Sequence, residues 1–212
     1  MKNKLVLLLM MLVLAAGANA QDSNKAATGN TTAEIGLNFN NGTFLQGGNL
    51  RFRHFMADDM AVRLGLGANY NYNKISEDAN SSVFSLRIAP GIEKHFAGTE
   101  KLSPYVGAEL PIGFTTASYE DANFEYRGAS APGTNANRSN FNIGLNAVAG
   151  VDYYFASHFY AGFEIGAGIT YFKNSDVEVE NKNNGNVNNT KGYHSLNFSP
   201  FATGGIRVGF VF

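Results

Sequence analysis

Ten charged residues occupy matching positions in an otherwise sparsely charged chain: Glu34, Arg51, Arg53, Arg63, Arg87, Glu93, Glu109, Asp152, Glu164 and Arg207. Each stands among residues whose apolar members recur at every second place. Five are cationic and five anionic, so the set can pair with itself, line a passage for ions or relay protons. An ion-selective passage is more naturally lined by an excess of one sign, and equal numbers favour pairing. Other chemistry is thin. His54, His95, His158 and His194 fall on different segments, without the spacing of a zinc site, and the chain holds no Cys. The sequence shows no glycine-rich phosphate loop and no basic patch for nucleic acid. No cofactor, metal or nucleic-acid partner is therefore expected.

The elements that carry these charges read as strands. Period-two alternation marks eight segments, roughly 33–40, 49–56, 60–72, 83–95, 104–116, 141–155, 159–172 and 196–212. The third is the clearest, with Val62, Leu64, Leu66, Ala68, Tyr70 and Tyr72 set against Arg63, Gly65, Gly67, Asn69 and Asn71. No helical periodicity of useful length follows residue 20. The connections alternate strictly, short at 57–59, 97–103 and 156–158 and longer and polar at 41–48, 73–82, 117–140 and 173–195. Pro90 and Pro111 fall inside segments, where a missing N–H breaks a ladder, and local bulges are expected there.

Which face points inward decides the class. A soluble barrel would bury the apolar face and cover the other with long polar side chains. Here the polar face is rich in glycine, a poor residue for an open strand surface but a fitting one where side chains converge on a narrow axis. Charged residues are only 16% of the chain, against about 25–35% on a typical soluble surface. The reading is an all-β, eight-stranded antiparallel transmembrane barrel, apolar side to lipid and polar side inward. Its lumen is expected to hold a salt-bridge plug of Arg51, Arg53, Arg63, Arg87, Glu93, Glu109, Asp152, Glu164 and Arg207, with Glu34 of the same parity. Arg207 should lie level with Glu164, and Arg63 with Glu93, below a small vestibule lined by Gly and Asn. Aromatic girdles are expected from Tyr153, Tyr154, Phe155, Phe159, Tyr160, Phe210 and Phe212 at the turn end, and from Tyr70, Tyr72, Phe114, Tyr171, Phe172 and Phe198 at the loop end.

The first residues, MKNKLVLLLMMLVLAAGANAQ, combine Lys2 and Lys4, an apolar run over 5–16 and an Ala18-Asn19-Ala20 cleavage pattern. This is the form of a secretory signal peptide, too short in its apolar part for a ~20-residue span. The expected organisation is a signal peptide over 1–20, a polar leader over 21–32 and the barrel over 33–212.

The last strand, with Ile206, Val208, Phe210 and Phe212 alternating outward, resembles the C-terminal signature read by the outer-membrane assembly machinery, although Arg207 stands where a glycine is usual. The stretch LSPYVGAELPIGF, in which Pro104, Tyr105, Val106 and Gly107 open a strand after a turn, resembles the small outer-membrane β-barrel family of OmpA- and OmpX-like proteins. That resemblance implies an integral outer-membrane protein surrounded by lipid and lipopolysaccharide. It would be delivered by periplasmic chaperones and inserted by the barrel-assembly machinery. The implied role is structural, with adhesion or surface recognition through the loops; the alternative is a narrow porin-like channel for small molecules. Larger OmpA-type proteins carry a peptidoglycan-binding domain after the barrel, and since the sequence stops at Phe212 no anchoring to the cell wall is expected. His194 beside Ser195 matches in residue type the pair used by outer-membrane lipid A deacylases, but not in spacing, and lacks an orienting carboxylate. No enzymatic activity is expected.

Overall fold

The computed structural model describes residues 25–37, 45–133 and 137–212. The expected signal peptide, residues 21–24 of the leader, the end of the first expected strand at 38–40 and residues 41–44 of the first loop lie outside the described residues. The strands are β1 (Thr31–Leu37), β2 (Leu45–Ala57), β3 (Met60–Lys74), β4 (Asn80–His95), β5 (Leu102–Glu109), β6 (Ile112–Glu120), β7 (Phe124–Arg127), β8 (Asn140–Ala156), β9 (Phe159–Asn174), β10 (Val177–Asn181), β11 (Val187–Thr190) and β12 (His194–Val211).

Eight walls close into a ring. β1 to β4 pair in order, β4 pairs with both β5 and β6, these pair with β8, and β9 and β12 lead back to β1, every pairing antiparallel. Closure runs from Thr32↔Val211 to Leu37↔Ile206, so the wall leaves no open edge to aggregate. The period-two pattern sorts the side chains as it must in a pleated strand. Leu64, Ile88, Leu145 and Ile165 are exposed on the outside, whereas Arg53, Glu93, Asp152 and Glu164 are almost fully buried inside. Apolar out and charged in is the order of a barrel in lipid, and it rules out the soluble arrangement.

The fifth expected strand is divided. β5 and β6 run in one line, because Gly91↔Glu109 and Ile88↔Ile112 on β4 keep step, as do Glu109↔Asn146 and Ile112↔Ile143 on β8. No residue is inserted, so the expected bulge at Pro111 is absent, and β4 passes Pro90 in unbroken register. Two missing donors explain the gap instead. The Leu110 N–H donates to the Pro90 carbonyl at 2.8 Å and the Gly144 N–H to the Pro111 carbonyl at 2.8 Å. Such antiparallel partners normally exchange a second bond, which a proline cannot supply. Register irregularities sit elsewhere, between Phe55 and Ala57, Tyr154 and Ala156, and Ser199 and Thr203 among others.

At the turn end, Asp58-Asp59 and Ser157-His158 make tight reversals. Ala26 of the leader reaches this mouth and packs with Phe55, Ala61, Tyr154, Tyr160 and Val211. At the loop end the expected polar loops 117–140 and 173–195 are in part strand. β6, β7, β10 and β11 form an antiparallel extension beyond the ring. Cross-strand aromatic pairs of the kind that stabilise a ladder hold it: Tyr119 meets Tyr126 edge-on at 5.5 Å, and Val177 is buried beneath.

Candidate functional site

Every wall of the ring sends at least one charged or polar side chain to the axis. Arg53 of β2 forms an ion pair from Nε with Glu34 at 2.5 Å and donates from Nη1 to Glu93 at 3.1 Å and Asp152 at 2.7 Å. Arg63 of β3 reaches Glu93 at 2.7 Å, Glu164 at 2.8 Å and Glu109 at 3.0 Å. Arg207 of β12 reaches Glu34 at 2.6 Å, Asp152 at 3.3 Å and Glu164 at 3.4 Å. Arg51 pairs with Glu164 at 2.9 Å, and Arg87 with Glu109 at 2.9 Å at the more open, loop-side edge.

The nine residues singled out for the lumen thus meet in one cluster with Glu34. Arg63 touches Glu93, and Arg207 touches Glu164, with Gly205 rather than Arg207 directly opposite Glu164. Such crowding needs glycine in the facing strands: a Cβ at Gly162 would stand 2.6 Å from an Asp152 carboxylate oxygen and 3.0 Å from an Arg207 nitrogen. Charges so far from water are tolerable only when they are matched, and here each guanidinium touches two or more acids or completes an acid that others share; the Glu34 carboxylate is held by ion pairing alone, and Arg53 Nη2 and Arg63 Nε have no hydrogen-bond partner among the described residues.

Several members of the site escaped the sequence reading. Tyr105 donates its hydroxyl to Glu164 at 2.7 Å and accepts from Arg207. Asn146 donates to Glu109 at 2.9 Å. His95 bridges Ser103 at 2.9 Å and Glu93 at 3.3 Å. Tyr154 and Tyr160, expected in the turn-end girdle, face inward and are fully buried, with the Arg53 guanidinium 5.1 Å from the Tyr160 ring centre. Parity was the available signal: Tyr105 is four residues from Glu109, Tyr154 two from Asp152 and Tyr160 four from Glu164. Phe172, also expected in the girdle, turns to the interior at the loop end. Phe155, Phe159, Tyr153, Tyr70, Tyr72, Phe114, Tyr171 and Phe198 are exposed as expected.

The closing strand carries the residues read as an assembly signature. Ile206 is exposed on the outside, Phe210 packs edge-on against Phe159 and Phe212, each at 5.0 Å, and Val208 shares their parity. Above the charges lies a cavity of about 530 Å³ between β4, β6, β8, β9 and β12, lined chiefly by amides and hydroxyls. His194 and Ser195 take opposite sides of the wall there. The His194 Nδ1 bonds the outward Tyr171 hydroxyl at 2.7 Å, while Ser195 lines the cavity, so the two do not form a catalytic pair.

In the loop extension Arg127 clasps Glu125 at 2.8 Å, Glu178 at 2.6 Å and Glu180 at 3.0 Å. Asp176 accepts from the Gly192 N–H at 2.8 Å and from Lys191 at 3.2 Å, which holds its carboxyl below the usual value. Among the described residues no cluster of acids and histidines could hold a metal ion.

Residues 71–212 match the model of the OmpA-OmpF-like porin family. The chain belongs to that family. With the closed ring and its apolar belt, this makes it an outer-membrane β-barrel protein. Solved structures of similar fold include the N-terminal β-barrel domain of Pseudomonas aeruginosa OprF, 18% identical with 88% of this chain and 100% of that one covered at a TM-score of 0.40. Ail, the attachment invasion locus protein of Yersinia pestis, is 17% identical over 87% and 99% at 0.43, and OprG from Pseudomonas aeruginosa is 16% identical over 90% and 99% at 0.43. No curated protein matches the chain in sequence. A family named for porins is compatible with open and with filled lumens, so the interior of this member has to be read from its own side chains.

Proposed function

We propose that the chain is a closed structural barrel of the outer membrane whose β-structured loop extension faces the exterior and serves surface recognition. The lumen cluster carries this reading: an eight-stranded barrel is about wide enough for side chains to fill, and here Arg53, Glu93, Asp152 and Glu164 fill it with their side chains almost fully buried. Rigid scaffolds carry binding residues on their loops, which is the support for placing recognition on β7, β10 and β11. In the same reading residues 1–20 direct export, and periplasmic chaperones deliver the chain to the assembly machinery. That machinery reads Ile206, Val208, Phe210 and Phe212, and lipid and lipopolysaccharide surround the folded wall. The cavity above the charges favours a second reading, a narrow porin-like channel whose outer mouth it would be.

Single-channel recording separates the two. Refolded residues 21–212 in a planar bilayer should pass no steady current after heat-dependent gel migration has established folding. Discrete, reproducible openings would put the channel in its place.

A further inference from the structure

We infer that the cavity at the loop end is a binding site for a saccharide unit, a neutral polyhydroxylated ring held by amides and by aromatic faces. Its volume of about 530 Å³ falls in the roughly 300–1,000 Å³ of small-molecule sites, but its lining departs from the mostly apolar character of such sites. Asn137, Asn140, Asn174 and Asn197 supply amides, and Ser85, Thr115 and Ser195 supply hydroxyls. An amide both donates and accepts, and a hydroxyl does the same, which suits a ligand whose own groups are hydroxyls in both roles.

The aromatic and charged residues narrow the choice further. Phe172 and Tyr193 line the same cavity and offer apolar faces to the C–H side of a sugar ring. The cation there, Arg138, is buried, donates to the Ser175 and Lys191 carbonyls at 3.4 and 3.1 Å, and lies 5.4 Å from the Tyr193 ring centre. Its guanidinium is thus engaged in shaping the wall. None of the described lining residues is acidic, which leaves neutral hydrogen bonding as the means of recognition. Among the described residues the side chains of Asn137, Ser195 and Asn197 make no hydrogen bond within the protein, so they are available to a ligand.

The inference goes beyond the recognition reading, which rests on β7, β10 and β11, and is tested separately from it, because a conducting barrel could bind sugar and a closed one could fail to. Residues 21–212 in lipid nanodiscs, free of glycoside detergents, are titrated with glucose and with N-acetylglucosamine while saturation-transfer NMR reads the sugar signals. Saturable binding is expected, weakened roughly two- to tenfold by Asn197→Ala, the range for one lost hydrogen bond, and weakened also by Phe172→Ala. Folding of each variant is verified by heat-dependent gel migration. Nanodiscs with added lipopolysaccharide locate the natural source: competition with the free sugar marks the membrane's own glycan, and unchanged affinity marks one from outside. Three results overturn the inference: no binding to the folded chain, binding that both substitutions leave intact, or binding of inorganic phosphate in place of either sugar.

Discussion

Replacing Glu164 by Gln keeps the side chain's shape and removes one charge from the centre of the lumen. Glu164 accepts from Arg51, Arg63 and the Tyr105 hydroxyl at 2.7–3.2 Å, pairs with Arg207 at 3.4 Å, and its side chain is 1% exposed. The amide oxygen of Gln still accepts from Tyr105, but its NH2 group turns a donor toward guanidinium groups. Breaking a buried pair costs about 3–5 kcal/mol because the surviving charge stays buried. Retention of the shape and of one acceptor puts the expected loss near the lower end, about 3 kcal/mol. Urea unfolding from lipid vesicles, followed by gel migration, reads that loss as a lower midpoint at unchanged slope. A second substitution, Arg51→Met, should return part of the stability, because it removes a cation that Glu164 no longer balances. A loss below about 0.5 kcal/mol in the single variant, within the range typical of surface substitutions, would refute the reasoning that these contacts hold the lumen.

Gly162→Ala places a Cβ against Asp152 and Arg207 and should cost about 1–3 kcal/mol as overpacking in the same unfolding assay. Ile165→Arg, on the exposed outer face midway along β9, should cost about 2–4 kcal/mol in vesicles if that face meets the bilayer core, and little in a wall facing water. Asp176 has a lowered folded-state pKa, so its contribution is present above the unfolded value near 3.9 and is lost as pH falls through the lower folded value; the Gly192 amide resonance should titrate with a midpoint below 3.8 and stop doing so in Asp176→Asn. Deleting Phe212 should slow assembly in cells more than it lowers the stability of the refolded barrel, measured by pulse-labelling against urea unfolding.

The ring was legible in the sequence because its walls alternate strictly and one face is exposed to a different medium from the other. Arg53, Asp152 and Glu164 could be placed inward from parity alone, since a strand offers each residue only two sides. Parity also places Tyr154 and Tyr160, but an aromatic near a strand end reads equally well as a girdle residue, and only the packing against Arg53 and Ala26 separates the two. The division of one wall at Leu110-Pro111 was not readable as such. A proline marks a lost donor, and whether the chain bulges or merely opens depends on what both neighbouring strands do. The extension was harder still. Its strands β7, β10 and β11 are four or five residues long and owe their pairing to Tyr126 and Arg127 meeting partners about 50 residues away, so composition rich in Asn and Gly reads locally as loop.

The barrel is a wall with lipid outside and a dry charge cluster inside. Cross-relaxation NMR of the labelled barrel in nanodiscs tests both at once, by recording transfer from lipid acyl chains and from water. Acyl transfer to Leu145 and Ile165 with no water transfer to the guanidinium protons of Arg53 and Arg63 is the predicted result. Water signals at Arg53 and Arg63, with no acyl contact at Leu145, would contradict it.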